Sequence, residues 1–204
     1  MIGLEEGGIR WELVLASGSP RRRDLLREAG LSFQINSPDV EELKPGAEPP
    51  RQLCLSNAEL KANAVARQDP FSTIIAADTI VTLGGQVFGK PVDLKEAAGN
   101  LRMLRGRVHE VMTGVVIYHD AVMSKFVETS YVKFRNFSDE VIEEYLSKVP
   151  VLDKAGGYAI QDHGDLLVEK IEGDYDNIVG LPVCLVLDQL AKIGFPAPTS
   201  PKVK

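Results

Sequence analysis

Asp78 lies in the middle of the most apolar segment of the chain, Thr73 to Val81. A carboxylate in such a strand is costly unless it is paired, hydrogen-bonded or bound to a metal ion. A turn at Gly84-Gly85 and a short strand to Phe88 then lead to Lys90, which can return beside Asp78. We therefore expect chemistry at Asp78, although Lys90 by itself could also be an exposed loop lysine.

A second group of chemically active residue types follows the first apolar strand. Ser17 and Ser19 lie in a small polar turn, and Pro20 stands where a helix begins, with Ser19 as its N-cap. The free N–H groups of that helix end, the two hydroxyls and the cations Arg21 and Arg22 would form an anion site that suits a phosphate. An ordinary strand-helix turn with solvated arginines is the alternative for this segment taken alone.

Lys61 lies on an otherwise apolar stripe of a helix that is predicted to run to about Arg67. The stripe consists of Cys54, Ala58 and Val65 at helical spacing. A buried ammonium needs an anionic partner, because without one it would sooner lose its proton. Alternatively, the long stem of the lysine carries its charge to the surface.

Negative charge collects in the loop at 37–42, which contains Asp39, Glu41 and Glu42. Judged locally, this loop is either a solvated acidic turn or part of a metal site. Together with Asp78, carboxylates of such a loop would hold a divalent ion and activate water, because hard cations such as magnesium favour oxygen ligands and lower the pKa of a bound water. Asp78 would then serve as the general base.

Four separated sequence blocks together indicate a family. They are SGSPRRRDLL at 17–26, AADT at 76–79, GKP at 89–91 and KAGGYAIQ at 154–161. In this order they resemble the Maf-like nucleotide pyrophosphatases, and more closely the branch that cleaves dTTP and UTP. The resemblance extends from Leu13 to Ile193.

The resemblance implies hydrolysis of a nucleoside triphosphate between its α- and β-phosphates, with a divalent metal cation, magnesium or manganese, as cofactor. It also implies an α/β fold with a mixed elongated sheet, flanking helices and two lobes around a cleft, similar to inosine-triphosphate pyrophosphatases, and a homodimer. The residues that it assigns are Asp78, Lys90 and Glu42 for catalysis, Asp78 and Glu42 for the metal, and Ser17, Ser19, Arg21, Arg22, Lys61, Thr79 and Gln161 for the substrate. Gln161 would meet the pairing edge of uracil or thymine. Asp162 stands where the family usually has glycine, which affects the conformation just after Gln161.

Composition narrows the setting of the protein. The 204 residues carry a net charge of −6, which argues against a stable complex with nucleic acid. No apolar run approaches membrane-spanning length, and residues 1–10 lack the features of a signal peptide. Cys54 and Cys184 match no metal-ligand spacing, so we expect reduced thiols and a cytoplasmic protein. We expect one domain at 11–195, with a flexible leader at 1–10 and a flexible tail at 196–204.

The expected elements alternate between strands and helices. Strands are expected at 12–16, 33–36, 73–81 and up to Phe88, then as a long hairpin over 108–118 and 126–137, and as a further hairpin from Lys154 to about Glu172. Helices are expected at 20–29, from the Pro49-Pro50 pair to about Arg67, after Asp93, after Ser138 and at 181–193. The helix after Asp93 is expected to point Leu94, Ala98, Leu101 and Leu104 inward, and a polar loop at 173–180 is expected before the last helix.

Two other functional classes could use parts of the same pattern. A non-catalytic nucleotide- or RNA-binding regulator could use residues 17–22, which we call the arginine turn, to bind a ligand without hydrolysing it. A metal-independent phosphatase could use Asp78 as a nucleophile. The products separate these classes, because the regulator gives none and the phosphatase gives orthophosphate.

Overall fold

A computed structural model describes residues 12–46 and 48–196, which contain one seven-stranded mixed sheet. Its strands are β1 (Leu13–Leu15), β2 (Gln34–Ile35), β3 (Thr73–Leu83), β4 (Gln86–Phe88), β5 (Val108–His119), β6 (Val122–Phe134) and β7 (Val168–Glu172). The order is β2-β1-β3-β5-β6-β7, with β4 also paired to β3. β1 is parallel to β2 and β3, and the other pairs are antiparallel. The predicted leader and residues 197–204 of the predicted tail lie outside the described residues.

Helices cover both faces of this sheet. They are α1 (Pro20–Glu28), α2 (Pro50–Ala66), α3 (Leu94–Leu104), α4 (Asp139–Lys148), α5 (Tyr175–Val179) and α6 (Val183–Lys192). Successive residues of β3 point to opposite faces: Ile74 packs in one cluster with Ala62 of α2, whereas Ile75 packs in another with Leu26 of α1 and Leu190 of α6. The predicted mixed α/β class is confirmed. Over 12–46 and 48–196, no helix has the length and apolar character needed to cross a membrane.

A gap along one edge of β3 determines where a ligand can enter. β1 pairs with residues 73–75 of β3, β4 pairs with residues 81–83, and β5 pairs with residues 74–82. Because β5 occupies one edge, β1 and β4 share the other, and Asp78 and Thr79 lie between them. β1 stops short because the chain turns at Ser17–Ser19 and Pro20, which has no N–H to donate to a ladder, begins α1.

Local capping signals are confirmed in part, since Ser138 at the start of α4 makes no capping hydrogen bond. The N–H of Glu96 donates to Asp93 Oδ1 at 2.7 Å, and the N–H of Val92 donates to Glu96 Oε2 at 2.8 Å, so a variant of the capping box starts α3. Ser19 occupies the N-cap position of α1, but its hydroxyl makes no capping hydrogen bond. Its own N–H instead donates to Ser17 Oγ at 3.2 Å, which tightens the turn.

The second predicted hairpin, from Lys154 to Glu172, is wrong. Gly156 and Gly157 have φ angles of 73° and 76° within a single 3₁₀ turn, and this left-handed backbone cannot continue a strand. A second 3₁₀ turn at Gly164–Leu166 follows, and only β7 joins the sheet. The KAGGYAIQ segment is therefore a loop beside the sheet.

Two smaller differences follow from local backbone geometry. β6 begins at Val122, earlier than predicted, because Asp120 and Ala121 have φ angles of 48° and 60° and form a two-residue turn. Leu94 is 52% exposed at the start of α3, and Ala97 takes the inward position instead.

The short helix α5 replaces the polar loop predicted at 173–180. Asp174 Oδ1 accepts a hydrogen bond from the N–H of Asp176 at 2.8 Å and so caps α5. Gly180 ends the helix with a φ angle of 136°, and its carbonyl accepts from Arg22 Nε at 2.8 Å. This segment therefore connects to the arginine turn.

Candidate active site

One cavity of about 350 Å³ lies at the gap in the edge of β3. It is lined by every site residue that the sequence predicts, which are Ser17, Ser19, Arg21, Arg22, Glu42, Lys61, Asp78, Thr79, Lys90 and Gln161. These residues come from the β1–α1 turn, the start of α1, the loop before α2, α2 itself, β3, the segment after β4 and the KAGGYAIQ loop. The sheet register thus gathers side chains that are far apart in sequence.

The centre of the cavity is a buried lysine between two carboxylates. Lys61 Nζ lies 2.7 Å from Asp78 Oδ1 and 2.7 Å from Glu42 Oε1. Lys61 is 9% exposed and Asp78 is 8% exposed, so the alternative in which Lys61 reaches the surface is wrong. In the protein alone, the anionic partners of Lys61 are these two carboxylates.

The electrostatic environment favours the ionised form of Glu42. Burial acts to raise the pKa of Glu42, but the hydrogen bond and charge of Lys61, together with the charges of Lys90 and Arg22, outweigh it. The pKa of Glu42 therefore lies below its ordinary value. Glu42 is therefore negatively charged beside Lys61 at neutral pH.

Arg22 forms the floor of the anion site and is 8% exposed, so it is not a solvated arginine. Its Nε donates to the Gly180 carbonyl at 2.8 Å, Nη1 to Ser17 Oγ at 3.1 Å and Nη2 to Thr79 Oγ1 at 2.9 Å. These three acceptors are neutral, so they orient the guanidinium without cancelling its charge. Burial lowers the pKa of Arg22, while the charge of Asp78 acts in the opposite direction.

Arg21 points to the opposite wall of the cavity. Its Nη1 lies 3.1 Å from Asp153 Oδ2, and Asp153 Oδ1 lies 2.7 Å from Lys154 Nζ. Lys154 is 6% exposed, and its ammonium also donates to the Pro150 carbonyl. An ion-pair chain therefore joins the arginine turn to the KAGGYAIQ loop.

Lys90 and Gln161 lie at more exposed parts of the cavity. Lys90 lies close enough to lower the pKa of Glu42 through its charge. Gln161 Nε2 donates to Asp162 Oδ2 at 3.4 Å. The residue that departs from the family pattern thus contacts the amide that the resemblance assigns to the base.

Comparison with known sequences decides the family. The sequence model of the Maf-like protein family matches residues 12–193. The chain belongs to the Maf family. A dTTP/UTP pyrophosphatase of Akkermansia muciniphila is 46% identical over 91% of this chain and 98% of that protein. A dTTP/UTP pyrophosphatase of Pyrococcus furiosus is 44% identical over 90% of this chain and 95% of that protein.

The Maf fold also has a counterpart among solved structures. The Ham1 protein of Staphylococcus aureus superposes with a TM-score of 0.53, covering 89% of this chain and 99% of that protein at 18% sequence identity. At this identity the likeness concerns the fold alone. The expectation of an inosine-triphosphate pyrophosphatase-like fold is confirmed.

The Maf site has a donor set that fits a divalent metal ion. Asp78 and Glu42 already bind one cation, the Lys61 ammonium, and both offer carboxylate oxygens. Over residues 12–46 and 48–196, no group of three histidine, cysteine or acidic side chains is gathered for a metal. Phosphate oxygens and water would have to supply the other ligands, which is typical of Mg²⁺.

Sequence reasoning missed several polar residues of this Maf domain. Asn57 Nδ2 donates to Asp78 Oδ2 at 3.3 Å, and the available signal was a polar amide one helical turn before Lys61. In the sequence, Lys154 stands out only as the first residue of the KAGGYAIQ motif, and Asp153 lies outside every motif. A lysine beside an acidic residue is common on surfaces, so no local pattern marked this pair as lining a cavity.

The inner wall of the cavity is apolar apart from one tyrosine. Val81, Val111 and Ile178 line it with Tyr158, whose hydroxyl lies 2.8 Å from His109 Nε2. Burial lowers the pKa of His109 to about 3, so this histidine is neutral at physiological pH. His109 is buried beneath the cavity wall, and its ring packs edge-on against that of Phe134 with the centroids 4.6 Å apart.

Proposed function

We propose that this protein is a nucleoside triphosphate pyrophosphatase that hydrolyses dTTP and UTP to the monophosphate and pyrophosphate. The observation that carries the proposal is the group of Lys61, Asp78 and Glu42, of which Lys61 and Asp78 are buried, inside a cavity that four further cations also line. Relatives named dTTP/UTP pyrophosphatase, at more than 40% identity over nine-tenths of the chain, support the same activity.

Charge balance supports a triphosphate as the ligand. A nucleoside triphosphate carries about four negative charges, which need cations and N–H donors before water can attack phosphorus. Arg21, Arg22, Lys61 and Lys90 line the cavity and supply this positive charge. Arg21 can exchange its exposed carboxylate partner, Asp153, for a phosphate, because that ion pair is only partly desolvated.

Asp78 is the proposed general base. It would accept a proton from water as the water oxygen bonds to the α-phosphorus. The bond from that phosphorus to the oxygen bridging the α- and β-phosphates breaks, and pyrophosphate leaves with the electron pair. Lys90 would stabilise the negative charge that develops on the phosphates. A divalent ion held by Asp78 and Glu42 would supply further positive charge there when bound.

Gln161 is the proposed reader of the pyrimidine base. Uracil and thymine present an N–H between two carbonyl groups, and a side-chain amide offers both a donor and an acceptor to that edge. Thr79 and Arg21 are proposed to help shape this choice. Thr79 is held in place by Arg22 and by its own hydrogen bond to the Gly180 carbonyl at 3.3 Å.

The proposal also covers the state and setting of the protein. A homodimer is proposed on the family resemblance. A cytoplasmic location is proposed because Cys54 and Cys184 are both free thiols. The net charge of −6 favours a small anionic substrate over a stable nucleic-acid complex.

The test is incubation of the protein with UTP and magnesium, followed by separation of orthophosphate, pyrophosphate and the nucleotide products. UMP and pyrophosphate in equal amounts are expected. Orthophosphate without pyrophosphate would favour the phosphatase, and binding of UTP without any product would favour the regulator. Asp78→Asn protein prepared in parallel controls for contaminating hydrolases.

A further inference from the structure

Asn57 makes more contacts around the carboxylate pair than its position in a helix would suggest. Its Oδ1 accepts from the N–H of Leu43 at 2.7 Å, and its Nδ2 donates to the Leu43 carbonyl at 3.3 Å. The same Nδ2 donates to Asp78 Oδ2 at 3.3 Å. The side chain is 3% exposed, so its partners are protein groups rather than bulk water.

The loop that carries Glu42 has few other attachments. None of residues 37–46 is buried, so apolar packing does not fix this part of the chain. Leu43, the residue next to Glu42, is 44% exposed, and its backbone N–H and carbonyl are both bound by Asn57. The loop is therefore attached to α2 through polar contacts, of which this amide supplies two.

Asn57 and Lys61 lie one helical turn apart on the buried face of α2. Lys61 binds Asp78 Oδ1 and Asn57 binds Asp78 Oδ2, so each carboxylate oxygen has its own donor. One face of the helix therefore orients Asp78 and also holds the loop with Glu42. The two carboxylates belong to elements far apart in sequence, and Asn57 is bonded to both elements.

We propose that Asn57 is a positioning residue that sets the spacing and orientation of Glu42 and Asp78 by binding the backbone of Leu43 and the Asp78 carboxylate with one amide. The inference rests on the proposed function in taking this carboxylate pair as the site of a divalent ion. Residues that orient metal-binding side chains typically change metal affinity by about 10- to 100-fold when they are removed. Loss of Asn57 therefore raises the metal requirement more than it lowers turnover at saturating metal.

The first readout is independent of catalysis. Hydrogen exchange of the Leu43 amide, measured by NMR in metal-free protein, is expected to become at least about tenfold faster in Asn57→Ala, because the acceptor for that N–H is removed. Ser56→Ala is the matched control. Ser56 Oγ donates to Glu48 Oε2 at 2.9 Å, so it attaches α2 to a nearby part of the chain without touching Asp78. Unchanged exchange at Leu43 in Asn57→Ala would overturn the proposal.

The second readout is the Mn²⁺ concentration that half-saturates UTP hydrolysis. It is expected to rise by about tenfold or more in Asn57→Ala, with less than about a fivefold change in kcat at saturating Mn²⁺, and to stay unchanged in Ser56→Ala. Faster exchange with an unchanged metal requirement would make Asn57 merely structural and overturn the proposal. Asn57→Ser, which keeps a small polar group, replaces Asn57→Ala if that variant does not fold. Absence of turnover in the wild-type protein at every Mn²⁺ concentration would refute the proposed function, and the positioning role with it. Turnover in the wild-type protein, with the same half-saturating Mn²⁺ concentration in the Asn57 variants, would refute the positioning role alone.

Discussion

Asp78→Asn is the substitution whose consequences the structure specifies most closely. Both oxygens of Asp78 accept hydrogen bonds, Oδ1 from Lys61 Nζ at 2.7 Å and Oδ2 from Asn57 Nδ2 at 3.3 Å. An asparagine at this position has one oxygen and one NH₂ group, so it must direct its NH₂ towards one of two donors. The change is close to isosteric, but it creates a donor–donor conflict in a buried place.

The expected cost in stability follows from these contacts. Loss of a hydrogen bond to a charged group costs about 1.5–3 kcal/mol, and Lys61 keeps Glu42 as an ionic partner at 2.7 Å. We therefore expect Asp78→Asn to lower the free energy of unfolding by about 2 kcal/mol in urea titrations at pH 7.5 followed by circular dichroism. Turnover of UTP with magnesium is expected to fall by at least about a hundredfold, the usual contribution of a general base.

A double variant separates the two effects. In Asn57→Asp with Asp78→Asn, the carboxylate and the amide exchange places, so the NH₂ of the new asparagine faces an acceptor. Stability is expected to recover by at most about 1 kcal/mol, because the donor–donor conflict is removed while the new carboxylate at position 57 meets the Leu43 carbonyl as a second acceptor. Turnover is expected to stay at the level of the single variant, since position 78 still lacks a base.

Two results would refute this reasoning. Retention of more than about a tenth of wild-type turnover by Asp78→Asn, a loss below about 1.4 kcal/mol in transition-state stabilisation, would remove Asp78 as the base. Equal stability of the wild-type protein and Asp78→Asn would show that Asp78 does not bind both donors in solution.

Three further predictions concern other parts of the cavity. The Lys61→Met variant should bind free Mn²⁺ at least about tenfold more tightly than the wild-type protein in electron paramagnetic resonance titrations, because the competing ammonium is gone. Lys90→Met removes a charge that acts on Glu42 from farther away, so it should change the Mn²⁺ affinity much less. Equal effects of the two substitutions would contradict direct competition between Lys61 and the metal ion. Burial lowers the pKa of His109 to about 3, so between this pKa and the ordinary value of 6.5 the histidine is protonated in the unfolded chain but not in the folded protein. The stabilisation from the neutral histidine is therefore present above pH 6.5, and the free energy of unfolding falls by about 2 kcal/mol between pH 7.5 and pH 5. The His109→Phe variant should lack this part of the pH dependence in urea titrations. The wild-type protein is expected to have a kcat/KM about a hundredfold higher for UTP and dTTP than for CTP, and Gln161→Ala should reduce this difference. Comparable kcat/KM values of the wild-type protein for CTP and UTP would reject the role of Gln161.

Family membership and the chemically active residue types are recognisable from the sequence alone. Asp78 in an apolar strand and Lys61 on an apolar helical stripe were both recognisable, because burial of an ionised group is too costly to occur without a partner. The four motif blocks contain eight of the ten cavity-lining candidates, with Glu42 and Lys61 outside them, and the strand and helix periods located β3 and α2 close to their observed bounds. Such signals are local, so they survive without knowledge of the rest of the fold.

Which groups pair with one another depends on how the elements pack, and the sequence pattern does not contain that information. Burial requires that Lys61 has a partner, but the sheet register and the path of the loop select Asp78 and Glu42. Likewise, the floor of the anion site depends on the carbonyl of Gly180, which the sequence pattern could not distinguish from any other backbone group. The role of Asn57 could not be predicted for the same reason. Its side-chain amide binds the backbone of a loop and a distant strand, and such hydrogen bonds depend on how the elements pack rather than on any periodic pattern in the sequence.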